Sequence, residues 1–265
     1  MTISVKSHFV FTTEQPTDAL LQFEAADIPE QELQNTRTDL TETDRRARIA
    51  AHEDIGERIW VRADGRFEAS HEAQVQIHRQ LTDLAQLKQL QAHDMPAAPV
   101  QYLFDSAFCP ADQFQTFVDT QFGDTAGGAR IEAIRDWVAG KFTYAPGSSD
   151  ARTTALDSFV ERRGICRDFA HMVITLARAS TIPARYVACY GPDVTPQDFH
   201  AVAEVFLHDP SREEGGTWQL VDATGMAKAD EIVKIGVGRD AADVSFLTSF
   251  GMVELCEKHV SVRRD

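Results

Sequence analysis

With 265 residues, 43% of them hydrophobic, the chain is long enough to bury the core of one large domain or two smaller ones. Its 26 basic residues against 41 acidic ones give a formal charge of −15 without a local basic cluster, which excludes a nucleic-acid or anionic-membrane surface and favours a neutral or basic small substrate, or a protein. No apolar run approaches the roughly 18 residues that cross a bilayer. Residues 1–6 lack the basic and apolar regions of a secretory signal, and Cys109, Cys166, Cys189 and Cys256 are scattered, so the sequence reads as cytoplasmic with free thiols.

The first ninety or so residues predict short strands. Residues 4–12, 19–25 and 45–51 mix apolar and polar side chains over strand-length windows. Arg58-Ile59-Trp60-Val61-Arg62 runs through Ala63-Asp64-Gly65 into Arg66-Phe67-Glu68-Ala69, and an Asp-Gly between two such runs signals a hairpin. This predicts a β-rich N-terminal domain, 1–95, without catalytic groups. His52, His71 and His78 have no metal-ligand spacing and are expected at the surface. From about residue 84 to 100 the composition shifts to Gln, Ala and Pro, ending in Met95-Pro96-Ala97-Ala98-Pro99, where the prolines mark the connection to a second domain, 96–265.

Beyond that connection the period becomes helical. Phe114, Phe117, Val118 and Phe122 form one stripe; Ile131, Ile134, Trp137 and Val138 form another, ending near Gly140. Such stripes are core surfaces. Pro146-Gly147-Ser148-Ser149-Asp150 predicts a turn, and Thr154-Ala155-Leu156-Asp157 a capped start to a short helix with Leu156, Phe159 and Val160 inward, closed by Gly164. Cys166 opens the next helix. Cys166, Phe169, Ala170, Val173, Leu176 and Ala177 share its inner face, and Ile182-Pro183 ends it. Strands are predicted at 185–190, 200–207, 217–223 and 251–262, so the second domain reads as helices followed by an antiparallel sheet, an α+β arrangement.

A thiol in the first turn of a helix sits among backbone N–H groups that have no intrahelical partner, at the positive end of the helix dipole, and both favour thiolate. A cysteine nucleophile needs a base, and the base an orienting group. His200 and Asp222 are the best candidates. A hairpin through Asp209-Pro210-Ser211 and Gly215-Gly216 makes 200–207 and 217–223 antiparallel neighbours, so that His200 at the start of one strand faces Asp222 at the end of the next. Asp168 and His171, at i+2 and i+5 from Cys166, point around the helix and read as structural. A zinc site from Cys166, His171, His200 and Asp222 lacks a recognisable ligand motif, and no metal or cofactor is expected. Cys109, Cys189 and Cys256 read as core thiols, and His208 and His259 as surface residues.

Four blocks carry a family resemblance: Gly164-Ile165-Cys166-Arg167-Asp168-Phe169-Ala170-His171, Ile182-Pro183-Ala184-Arg185-Tyr186-Val187, Phe199-His200-Ala201-Val202-Ala203-Glu204-Val205, and Trp218 with Val221-Asp222-Ala223-Thr224. In this order they resemble the transglutaminase-like superfamily, in particular its bacterial cysteine-hydrolase branch, over about 142–247. The β-rich start resembles the N-terminal domain that often precedes this core. The resemblance implies a papain-like, transglutaminase-like core in which Cys166 is the nucleophile, His200 the general base and acid, and Asp222 the group that fixes the His200 tautomer. It implies cysteine-dependent chemistry on a peptide or protein amide through a thioester, either hydrolysis or transfer to an amine, with the Cys166 backbone N–H and a side chain from 142–144 as oxyanion donors. The alternative is a catalytically silent domain acting as a protein-interaction module. The family's histidine is often followed by Ala-Trp; here Ala201-Val202 follows, which bears on substrate shape rather than on the triad. Protease, amidase and cross-linking enzyme are not distinguished by any motif, and neither is the oligomeric state.

Overall fold

The computed structural model describes residues 1–210 and 215–265. In chain order it comprises β1 (Thr2–Thr12), β2 (Thr17–Leu21), β3 (Gln31–Leu40), β4 (Arg46–Ala50), β5 (Glu57–Ala63), β6 (Arg66–Ile77), α1 (Ala97–Val100), α2 (Gln115–Phe122), α3 (Gly127–Lys141), β7 (Thr143–Tyr144), α4 (Ala155–Glu161), β8 (Arg163–Gly164), α5 (Cys166–Ala179), β9 (Ala184–Tyr190), β10 (His200–His208), β11 (Gly216–Val221), β12 (Val233–Gly238), β13 (Leu247–Ser249) and β14 (Glu254–Arg264). The α+β class and the β-rich start agree with the sequence reading. No helix among the described residues is long and apolar enough to cross a membrane.

Among the described residues the N-terminal strands form two four-stranded sheets, ordered β14-β1-β6-β3 and β13-β2-β5-β4. Alternation along β5 and β6 drives their packing. Phe9, Phe11, Phe67 and Ala69 of the first sheet meet Leu21, Ile59 and Val61 of the second, with Phe23 beside them. The far end of the first sheet, through Ile3, Val5, Val75 and Ile77, packs on Tyr190, Val233 and Ile235 of β9 and β12. The Asp64-Gly65 turn forms between β5 and β6, with Gly65 at φ +74°, but it does not close the hairpin the sequence predicts: β5 pairs with β2 and β4 and β6 with β1 and β3, so the turn carries the chain from one sheet to the other.

The second half is built on the antiparallel sheet β11-β10-β9-β12. Ala184, Tyr186, Ala201, Ala203, Val205 and Leu207 present one face to α5, whose Phe169, Ala170, Val173, Leu176 and Ala177 are all buried as their spacing predicts. The stripes of α2 and α3 close the other side of α5.

The structure departs from the sequence reading at several points. The strand predicted at 251–262 does not join the core sheet; as β14 it pairs antiparallel with β1, and β13 pairs with β2, so the end of the chain returns to the N-terminal sheets. β3, Gln31-Glu32-Leu33-Gln34-Asn35-Thr36-Arg37-Thr38-Asp39-Leu40, carries no apolar period because it is an edge strand, mostly exposed. α4 is rotated from the expectation: Phe159 packs against the core as predicted and Ala155 and Ser158 are buried, whereas Leu156 is 37% and Val160 74% exposed. It is closed by Arg162 in the left-handed conformation, φ 55°, two residues before Gly164. His71 is buried rather than superficial, accepting from the Ala25 N–H at 3.1 Å and bonding Thr38 Oγ1 at 2.9 Å. Cys109 and Cys189 are buried, but Cys256 is exposed on β14. The hairpin turn proposed between β10 and β11 falls partly on 211–214, outside the described residues; the strands it joins do pair antiparallel.

Candidate active site

The approach to Cys166 is built from local rules. Thr154 and Asp157 form the expected capping box, with the Asp157 carboxylate accepting from the Thr154 N–H at 2.8 Å and the Asp157 N–H donating to Thr154 Oγ1 at 3.3 Å. Arg162 then turns the chain, its guanidinium lying over the Phe159 and Trp137 rings at 4.0 and 4.6 Å. The following β8 pairs parallel with β7, which sets Tyr144 beside Gly164, two residues ahead of Cys166.

Gly164 is required for space rather than for helix breaking. A Cβ there would lie 2.5 Å from the Asp168 Cβ and 2.8 Å from its Oδ2. Asp168, fully buried, uses that room: its Oδ2 accepts from the Ile165 N–H at 2.8 Å and from Ser149 Oγ at 2.6 Å. Arg167 pairs with Oδ1 at 3.2 Å and donates to the Asp150 carbonyl at 2.6 Å. A carboxylate in the first turn satisfies an orphan helix N–H and complements the dipole. Asp168 therefore fixes the end of α5 that carries Cys166 and ties the turn at 146–150 to it, the structural role its position suggested. The role of His171 is likewise structural. It is fully buried, its Nε2 accepts from the Ala241 N–H at 3.1 Å, and its ring stacks on Phe108. Burial first, then Arg167 and Arg178, push its pKa down to about 3, so it stays neutral.

His200 and Asp222 are brought together. The β10–β11 ladder runs from His208 opposite Gly216 to Ala203 opposite Val221. One more step puts Asp222 across from Val202, on the diagonal from His200 that long side chains can bridge. The His200 Nε2 to Asp222 Oδ2 distance is 3.0 Å, with both side chains almost wholly buried. Asp222 is itself held by the turn that follows: Oδ1 accepts from the Thr224 N–H and Oγ1, each at 2.7 Å, and Oδ2 from the Ala227 N–H at 2.9 Å. Burial works against its charge, but His200 and Thr224 outweigh it, and its carboxyl sits below the usual aspartate range.

The other nitrogen of His200, Nδ1, is buried and has no hydrogen-bond partner among the described residues, and Cys166 lies close enough to shift the ring's titration. Burial alone would lower the histidine's pKa; Asp222 and Cys166 together raise it to about 9. Cys166 is half-buried, whereas Cys109 and Cys189 are buried thiols that burial holds protonated, Cys109 with its pKa pushed up to about 12. Two tyrosines border Cys166. Burial, then the charge on Cys166, push Tyr144 up to about 12, and the same two causes raise Tyr186 well above the ordinary phenol range. Tyr186 was not singled out by the sequence; it is a large side chain on a sheet face that reads as core. Among the described residues no three His, Cys, Asp or Glu side chains converge as a metal site.

Residues 115–223 match the model of the transglutaminase-like superfamily, so this core is transglutaminase-like. The fold extends well beyond the match. A solved structure of a proposed cysteine protease from Cytophaga hutchinsonii is 29% identical and superposes with a TM-score of 0.92 over 99% of this chain and 90% of that one. An uncharacterized protein of Mycobacterium leprae is 30% identical over 116 residues, 43% of this chain and 42% of its own length. An uncharacterized protein of Mycobacterium tuberculosis is 33% identical over 132 residues, 43% of this chain and 40% of its own. The chain thus spans about two fifths of the length of these curated relatives.

Proposed function

We propose that the protein is a cysteine-dependent enzyme acting on peptide or protein amides through a thioester, with Cys166 as nucleophile, His200 as base and acid, and Asp222 as the orienting carboxylate. The observation that carries this reading is the buried His200–Asp222 contact of 3.0 Å, with His200 Nδ1 unpartnered among the described residues and Cys166 close enough to shift the ring's titration. The likeness over nearly the whole chain to a proposed cysteine protease supports it.

His200 takes the proton of the Cys166 thiol, and the sulfur adds to the amide carbonyl carbon, forming a C–S bond while the carbonyl oxygen takes up the charge. The C–N bond then breaks, and the leaving nitrogen takes the proton from His200. A water molecule gives its proton to His200 and adds to the thioester; the C–S bond breaks, releasing a carboxylate and restoring Cys166. An amine in place of water gives transfer instead of hydrolysis. Asp222 keeps the imidazole oriented and stabilises its charged form. The oxyanion is assigned to the Cys166 backbone N–H and the Tyr144 hydroxyl.

The test is Cys166 alkylation against pH, followed by thioester trapping with a panel of peptide amides. Cys166 is expected to react faster than Cys256, which is also accessible, and to lose that advantage in His200→Ala. If Cys166 reacts no faster than Cys256, the enzyme reading falls. A reactive Cys166 that traps no substrate from the panel favours the interaction-module alternative.

A further inference from the structure

The nine residues 191–199 lead from β9 directly into His200. They are held less by the core they belong to than by β14, the strand that the end of the chain adds to the N-terminal sheet. The Gln197 side chain treats the outer edge of β14 as a strand would: its Nε2 donates to the Val262 carbonyl at 2.9 Å, and its Oε1 accepts from the Val262 N–H at 2.7 Å. The same Nε2 also reaches the Pro192 carbonyl at 3.0 Å, closing the loop on itself. Next along the chain, Asp198 pairs with Lys258 of β14 at 2.6 Å. Phe199 stacks on Phe246 at 4.8 Å and meets Tyr190 at 5.5 Å. At the far end of the loop, Arg264 of β14 bonds both Asp193 and Glu231.

We propose that β14 is the positioning element of the histidine, with Gln197 and the Asp198–Lys258 pair fixing the backbone that enters His200 and so setting its ring between Asp222 and Cys166. This rests on the triad reading above. Gln197 and Asp198 are anchored outside the core sheet on β14, Phe199 stacks on Phe246, and the residue after them is the one whose ring must be placed to a fraction of an ångström. An edge-strand N–H and carbonyl normally face water or a further strand; here one glutamine amide takes both. The register of β14 against β1, with Val262 opposite Val5, thereby reaches the site. The N-terminal sheet then acts as the ruler against which the histidine is set.

The test uses the full chain and needs no substrate. Iodoacetamide alkylation of Cys166 is followed by peptide mapping from pH 5 to 10, alongside the melting temperature, in the parent and in His200→Ala, Gln197→Ala, Lys258→Met and Lys258→Arg. Gln197→Ala is expected to slow alkylation at pH 7 about tenfold and to move the inflection set by His200 downward by about one unit, because misplacing a catalytic group by about 1 Å costs up to roughly 10²-fold. Lys258→Met moves both in the same direction by less, and Lys258→Arg restores the parent profile. Loss of stability alone would move the melting temperature and leave the pH profile of the folded fraction unchanged. If His200→Ala slows alkylation but Gln197→Ala and Lys258→Met superpose on the parent, the positioning role is overturned while the triad stands. If His200→Ala itself leaves the profile unchanged, the triad reading fails and this inference with it. If Gln197→Ala does not fold, the two Lys258 variants decide: superposition of Lys258→Met on the parent overturns the proposal, and its shift with recovery in Lys258→Arg supports it.

Discussion

His171 and His200 are buried to nearly the same degree, at 0% and 2% exposure, yet their surroundings push them in opposite directions. His171 has two arginines acting on it and, among the described residues, no carboxylate that offsets them, and its Nε2 is spent on a backbone N–H. His200 has Asp222 at 3.0 Å and is raised by Cys166 as well. One is held down to about 3 and the other up to about 9. Burial penalises the charged imidazole at both sites, so what differs is the partner, and the partner decides whether a buried histidine is packing or a proton carrier.

The largest expected effect on this contrast comes from replacing each histidine in turn. His200→Ala should slow Cys166 alkylation at neutral pH by about 10²-fold or more, whereas His171→Gln, which keeps an acceptor for Ala241, should stay within about twofold; equal losses would erase the distinction. Asp222→Asn should cost any amide turnover about 10³-fold and let the alkaline inflection fall from near 9 toward 6.5. An inflection that does not move would mean that the carboxylate is not what raises His200.

Stability against pH separates the two sites by sign. The His171 pKa is depressed on folding, so its contribution is complete above 6.5 and is lost as pH falls toward about 3. The His200 pKa is raised, so its contribution is complete below 6.5 and is lost as pH rises through about 9. Denaturant titrations across pH should show His171→Gln flattening the acid side alone and His200→Ala the alkaline side alone. The smallest change is at the aromatic wall: Phe108→Leu, removing the ring stacked 5.2 Å from His171, should cost about 1 kcal/mol and leave Cys166 alkylation unchanged. A change in alkylation there would tie His171 to the site after all.

Much of the site was legible because its signals are local. The α5 stripe, the Thr154–Asp157 cap and the alternating strands β9, β10 and β11 each depend on residues a few positions apart. The antiparallel hairpin alone was enough to bring His200 near Asp222. Harder to read were features whose cause lies across the molecule. The polar strand β3 exists because β6 offers it a hydrogen-bonding edge. His71 reads as a surface residue and is buried because Ala25 and Thr38 supply its partners. Leu156 and Val160 look like a core stripe but face outward, because α4 buries Ala155 and Ser158 instead. Gly164 reads as a helix breaker, yet the reason for glycine there is the Asp168 side chain pressed against it.

The sequence by itself determined that a thiol opens a buried helix and that a histidine and an aspartate end up on adjacent strands, because helix and strand periods and short connections are written in neighbouring residues. Only the tertiary structure decided which histidine carries charge, where the last strand docks, and what holds the segment before His200. Those depend on pairings such as Lys258 with Asp198 and Val262 with Gln197, which are formed by burial and edge complementarity between segments about 60 residues apart, with no local pattern to announce them.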